Sequence, residues 1–158
     1  MSNWTHVASV FRIDGLNYDN DFWSENELDA IREKNSYEDF IKIIMDKAFG
    51  KELLWGDEHS VWEEANKHPE EFLPRGSEGS LHKSIWINPV RESLASFTVS
   101  IFGDLRDHYS ADEIIEWFKE KCNLFWIRNA VITVSNEWLG AKSCTYVSEN
   151  KFIDTNIE

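Results

Sequence analysis

The stretch 94-LASFTVSIFGD-104 alternates apolar and polar side chains with a period of two. In an extended chain, one face would carry three apolar side chains and the other three hydroxyl groups: Phe97, Val99 and Ile101 against Ser96, Thr98 and Ser100. This pattern is typical of an antiparallel strand with one face on the core and one face in water. The stretch therefore predicts a sheet with an open face.

Segments on either side complete the predicted order of elements. Residues 5–13, 81–88 and 127–138 are rich in β-branched and aromatic side chains and predict three more strands. Two amphipathic helices are predicted after Ser36 and Ser110, each of which has an acidic residue three positions later, as in a capping box. The polar and acidic segment from residue 14 to 35 predicts a loop that could include a short helical turn.

The resulting order is strand, helix, strand, strand, helix, strand. We therefore expect an α+β protein with a ferredoxin-like split βαββαβ fold: one antiparallel sheet, both helices on one face, and a helical insertion near residues 60–67 before the second strand. We expect residues 1–148 to form a single α+β domain. Residues 143–147 could add an edge strand, whereas the C-terminal residues 149–158 are polar and are predicted to fray.

The net charge of −13 limits the classes of partner. A field of this sign repels phosphates, so we expect no direct nucleic-acid binding, whereas a protein with a basic surface would be attracted. No apolar run reaches the length of a membrane helix, and the N-terminus has no pattern of a signal peptide, so we expect a cytoplasmic protein that binds no membrane. The sequence carries no metal or cofactor motif, and neither group is predicted.

Two polar loops are candidate ligand sites. The segment 75-RGSEGS-80 has the glycines and hydroxyls of an anion pocket, but it is also the composition of a tight turn. The loop after the third strand could bind a ligand or fix the start of the next helix. The two loops and the open sheet face together supply the predicted binding residues for a small anionic ligand: Arg75, Gly76, Ser77, Gly79, Ser80, His82, Asp104, Arg106 and His108. Because the second and third strands are expected to be neighbours, we expect both loops at the same end of the sheet.

Two His-x-Ser triplets, at residues 82–84 and 108–110, suggest a minor alternative. Two-histidine phosphodiesterases use a pair of such triplets, each on a strand, but the second triplet here lies in a predicted loop. Enzymatic activity is therefore not favoured, and no catalytic residue is assigned. This alternative requires the two histidines to share one cleft.

The acidic insertions at residues 17–29 and 57–71 are candidate surfaces for a basic partner. Tryptophan is a common interface anchor, and carboxylates would supply the steering field. The predicted partner-binding residues are Trp23, Trp55, Trp62, Glu63, Glu64, Glu70 and Glu71, with Phe72 as a further anchor. Unpaired sheet edges also predict a homodimer.

The blocks NWTHVASVFRID, LPRGSEGSL, TVSIFGDLRD and EWF resemble small uncharacterised proteins encoded by bacteriophages. The resemblance implies a non-enzymatic binding protein that inhibits a bacterial defence system by occupying a host protein in the host cytoplasm. The alternative is a small-molecule or nucleotide-signal binder, which would act as a sponge.

Overall fold

A computed structural model of the chain describes residues 2–87, 96–108 and 110–157. These residues form a mixed α+β structure with one six-stranded antiparallel sheet in the order β2-β3-β1-β4-β5-β6. The elements are β1 (Trp4–Leu16), α1 (Glu25–Lys34), α2 (Tyr37–Phe49), α3 (His59–Lys67), a 3-10 turn (Pro69–Glu71), β2 (His82–Ile87), β3 (Phe97–Arg106), α4 (Ala111–Cys122), β4 (Phe125–Asn136), β5 (Gly140–Ser148) and β6 (Lys151–Ile157).

The prediction of a simple ferredoxin-like βαββαβ fold is wrong, because the sheet has six strands and the described residues contain four α-helices. The tail that was expected to fray forms β6 and pairs with β5. Glu149 and Asn150 have φ angles of 44° and 62°, which close a tight hairpin between these two strands. A turn of this kind matches the twist of the flanking strands, so the last polar residues can extend the sheet.

The segment expected to be a loop with at most a short helical turn contains the ten-residue helix α1. Ser24 caps its first turn by accepting a hydrogen bond from the backbone nitrogen of Glu27. Leu28 is buried, and Ile31 packs against the same core. A pattern with one buried residue, Leu28, was too weak to predict a full helix from the sequence, but it suffices once the helix lies beside α2.

The core is centred on Phe11 of β1. Its ring lies 5.0 Å from the ring of Phe49 on α2 and 5.0 Å from that of Phe118 on α4. The predicted inward face of β3 is confirmed, because its three apolar side chains are buried. Apolar side chains of α4 and β4 are buried against the same core: Ile114, Ile115, Phe118, Cys122, Ala130, Ile132 and Val134. β1, which is hydrogen-bonded to β3 and β4, therefore also joins two of the helices.

Residues 51–72 form a separate small unit, called here the acidic lobe. Its two ends meet, because Lys51 donates its backbone N–H to Glu71 O and accepts from Leu73 N, at 2.9 and 3.0 Å. Inside the lobe, α3 packs on its own apolar cluster: Leu53, Ala65 and Phe72, with Val61 and Trp62 at the edge. The lobe carries seven carboxylates and two lysines, a net charge of −5.

The face of the sheet opposite the buried stripes is exposed, as the alternation predicts. Trp86 pairs with Thr98, and His82 pairs with Phe102, so these four side chains lie on that face. Strands β2 and β6 are the edges of the sheet, and the homodimer stays a prediction. Among the described helices, none combines the length and the apolar character needed to cross a membrane.

Candidate functional site

The two predicted loops lie together at the end of β3. Ser77 donates its backbone N–H to Arg106 O at 2.8 Å, and Arg106 returns its own N–H to Glu78 O at 3.0 Å. The side chains add a salt bridge, because the Arg106 guanidinium lies 2.8 Å from the Glu78 carboxylate. The expected proximity of the loops is confirmed.

The donors that would bind an anion at the 75–80 loop are used within the protein. The Gly76 N–H binds Gly79 O at 3.0 Å, and the Ser77 N–H binds β3 as described above. The hydroxyl of Ser77 donates to the Asp107 carboxylate at 3.1 Å, and that of Ser80 to Leu81 O at 3.1 Å. These contacts are those of a turn docked onto β3.

The structure divides the predicted ligand-binding residues between two cavities. Arg75, Gly76 and His108 line a cavity of about 460 Å³ on the side of α4. A second cavity of about 280 Å³ lies between the acidic lobe and the open sheet face. Four other predicted residues line it: Gly79, Ser80, His82 and Asp104. Ser77 and Arg106 connect the two loops. The nine residues therefore do not form a single site.

The cavity beside α4 has a mixed lining. Burial lowers the pKa of Arg75, His108 and Lys121, while Glu70 and Glu120 line the same cavity. The Arg75 guanidinium donates to the Ala65 carbonyl and to the Asn66 side chain, so it anchors the end of α3. Arg75 thus acts first as a support of the acidic lobe.

The two histidines of the His-x-Ser triplets line different cavities. His82 lies on the open face beside Phe102, with ring centroids 6.2 Å apart. His108 lines the cavity that includes Trp117 of α4. The shared cleft required by the phosphodiesterase alternative is not formed by these residues.

His6 of β1 connects β3 to the turn that follows β4 on the open face. Its Nδ1 lies 2.6 Å from the Asp104 carboxylate on β3, and its Nε2 lies 3.4 Å from the Glu137 carboxylate beyond β4. The hydrogen bond to Asp104 is the main cause that raises the pKa of His6. The same contact holds Asp104 at the rim of the 280 Å³ cavity.

The predicted tryptophan anchors have different environments. Trp55 is 87% exposed, and Trp62 is partly buried against the lobe cluster. The proposal of Trp23 as an anchor is wrong for this structure, because its ring is buried and its Nε1 donates to Leu124 O at 2.6 Å. Phe72 is also buried, in the lobe cluster. The four glutamates Glu63, Glu64, Glu70 and Glu71 are exposed.

The cavity between the lobe and the sheet, called here the aromatic cavity, combines residues that are distant in sequence. Leu53, Trp55 and Trp62 come from the lobe, and His82, Phe102 and Asp104 from the open face. Phe102 is 45% exposed. Sequence reasoning missed Phe102, although alternation from Thr98 and Ser100 places it on the open face.

A second feature of the open face was also missed. Arg12, Trp86 and Arg128 line a cleft of about 410 Å³, called here the arginine cleft. Arg12 and Trp86 lie on opposite sides of Thr98, because both pair with it in the sheet. Arg128 forms a salt bridge with Asp14 at 3.2 Å, whereas Arg12 has no such partner within the described residues. The alternation of β1 was the signal that could have found Arg12.

Three exposed side chains at the base of the lobe could approach one cation: His68, Glu70 and Glu71, whose donor atoms lie within 4.8 Å of one another. Exposed acidic groups are often this close without an ion, and we assign no metal to them.

No family model, curated protein or solved structure matches the chain.

Gly79→Ala should destabilise the protein by at least about 1 kcal/mol, because Gly79 has a positive φ and no room for a Cβ atom. Its φ is +80°, and an added Cβ would lie 2.3 Å from Asp104 O. Gly56→Ala is the matched control, since Gly56 also has a positive φ, +98°, but open space around it. Urea unfolding should show the larger loss for Gly79→Ala, and equal losses would exclude close docking of the turn.

His6 should stabilise the fold more at low pH than at high pH. The folded-state pKa is raised above the ordinary value of 6.5, so the contribution is complete below that value and is lost as pH rises through the folded-state pKa. His6→Gln should therefore cost more at about pH 5.5 than at about pH 8, by less than about 1 kcal/mol because the group is half exposed.

The comparison must use the difference between wild type and His6→Gln in urea unfolding at each pH. Burial lowers the pKa of His108, so that residue acts in the opposite direction in both proteins and cancels in the difference. A larger cost at the higher pH would contradict the assigned contacts.

Proposed function

We propose that this protein is a non-enzymatic binding protein that occupies a basic surface of another protein through its acidic lobe. The observation that carries the proposal is Trp55, whose large apolar side chain is 87% exposed on a lobe with a net charge of −5. An exposed tryptophan within a polar, charged rim resembles the composition of binding hot spots.

The lobe is held in place before any partner arrives. Its ends are hydrogen-bonded to each other, Arg75 binds the Ala65 carbonyl, and the Glu52 carboxylate accepts from Lys83 N of β2. A pre-ordered surface loses less conformational entropy on association than a flexible one. This supports an interface that is ready to bind.

The resemblance of short blocks to phage proteins suggests which partner to test first. A protein of a bacterial defence system, in the cytoplasm of the host, would be inhibited if its functional basic surface were covered. The carboxylates of the lobe would then take the place of an acidic or phosphate-bearing ligand of that host protein.

Reversal of four lobe charges should abolish partner binding while the fold is retained. The variant carries Glu63→Lys, Glu64→Lys, Glu70→Lys and Glu71→Lys, all at exposed positions. The immobilised wild type should capture a basic protein from bacterial lysate, and its affinity should fall as salt rises, because screening acts over about 8 Å at physiological ionic strength.

The matched control reverses four exposed carboxylates outside the lobe: Glu33, Glu38, Glu116 and Glu149. It changes the net charge by the same amount, so it separates the lobe from a general effect of charge. The proposal requires the control to keep most of its affinity and the lobe variant to lose it. Equal binding by both variants would remove the lobe from the interface.

The arginine cleft favours a second candidate function, binding of a small anionic aromatic ligand such as a mononucleotide. Its volume of about 410 Å³ lies within the range of small-molecule sites. Trp86 and Arg12 are separated by two strand spacings, about 10 Å, which leaves room for one flat ring between their side chains. The guanidinium groups would bind a phosphate.

Calorimetric titration with adenosine monophosphate tests this candidate, with adenosine as the uncharged reference. Arg12→Gln should weaken nucleotide binding at least about fivefold, because a charged hydrogen-bond partner of the phosphate is lost. Arg32→Gln, an exposed arginine on α1, serves as the control. No measurable heat with the wild type, or equal affinity for adenosine, would exclude the nucleotide.

A further inference from the structure

We infer that the aromatic cavity is a receptor for an arginine side chain of the partner protein. The inference rests on the proposed function, since it names the chemical group that the acidic surface would receive. It assigns a specific role to residues that the charge reversal does not touch.

The lining of the cavity is aromatic on several sides. Trp55 and Trp62 come from the lobe, and His82 and Phe102 from the sheet, with the latter two rings tilted by 50° at 6.2 Å. The negative faces of aromatic rings attract cations, and tryptophan does so most strongly. A volume of about 280 Å³ is suited to one large side chain rather than to a whole ligand of drug size.

Carboxylates lie at and near the cavity, where they could interact with the charged group of a bound arginine side chain. Asp104 lines the cavity, and His6 engages its Oδ1 at 2.6 Å, while its Oδ2 has no hydrogen-bond partner within the described part of the chain. Glu52 lies behind the histidine, with Oε2 4.0 Å from His82 Nδ1. These groups, within a chain of net charge −13, make an anionic guest unfavourable and a cationic one favourable.

Arginine fits this lining better than lysine. A guanidinium is flat, so it can stack on an indole face and donate to a carboxylate at the same time. A lysine ammonium is strongly hydrated and would lose more hydration energy on entering a pocket with mostly apolar walls. The occupant to which we commit is therefore an arginine side chain presented by a basic protein surface.

The test uses three short peptides that are identical except at one position: Ac-Gly-Gly-X-Gly-Gly-amide with arginine, citrulline or lysine as X. Citrulline has almost the shape of arginine but no charge. Nitrogen-15 NMR titrations to about 10 mM peptide would follow the indole signals of Trp55 and Trp62 and the amides of Gly79 and Gly103. We expect saturable shifts at these four positions with the arginine peptide.

The expected affinities are weak but ordered. The citrulline and lysine peptides should bind at least about fivefold more weakly than the arginine peptide. Trp55→Ser and Asp104→Asn should each weaken the arginine peptide at least about fivefold. Trp138→Ser removes another exposed tryptophan, which lies in the β4–β5 hairpin outside the cavity, so this control should retain binding.

The inference would be overturned if the arginine and citrulline peptides bound equally well. It would also be overturned if the shifts were confined to residues outside the cavity, or if no shifts were seen. Equal binding of the lysine peptide would overturn the choice of arginine. If the lobe variant loses the captured partner but the arginine peptide does not bind the cavity, the inference fails and the proposed function stands. If the peptide binds and no basic partner is captured, the proposed function fails instead.

Discussion

The packing of Phe11 within the doubly paired strand β1 is the constraint on which the rest of the structure depends. β1 is hydrogen-bonded to β3 on one side and to β4 on the other, and its inward side chain at position 11 contacts rings from α2 and α4. The order of the strands in the sheet determines which loops lie next to each other. The polar turn at residues 75–80 and the end of β3 meet because β2 and β3 are neighbours in this sheet.

Several basic residues are held in contacts within the fold and therefore do not neutralise the acidic lobe. Lys83 has a side chain that is only 4% exposed and binds both Asp46 and Gly50 O. Arg75 binds the end of α3, and Arg106 binds Glu78 in the docked turn. The acidic lobe has only two lysines, so its carboxylates remain largely uncompensated. The charge that the proposed partner would meet is thus a consequence of how the basic residues support the fold.

Local patterns predicted the local structure well. The alternation in β3, the serine caps at positions 36 and 110 and the buried stripe of α4 all depend on neighbours within a few residues. The sixth strand was harder to predict, since β6 depends on a two-residue turn with positive φ and on an existing edge to pair with. Trp23 was misplaced because its indole finds its partner at Leu124, 101 residues away. The cavities combine residues from separate segments, so no local pattern could show them.

The closed base of the acidic lobe has a consequence for how this protein could diversify. Because the backbone leaves and re-enters the fold at hydrogen-bonded residues 51 and 71–73, the lobe is an excursion that the sheet does not need for its own connectivity. Loop-closure entropy changes slowly with length, by about 0.6 kcal/mol for each doubling. Natural variants could therefore lengthen, shorten or exchange this excursion and acquire a different target, while the scaffold beneath it is inherited unchanged.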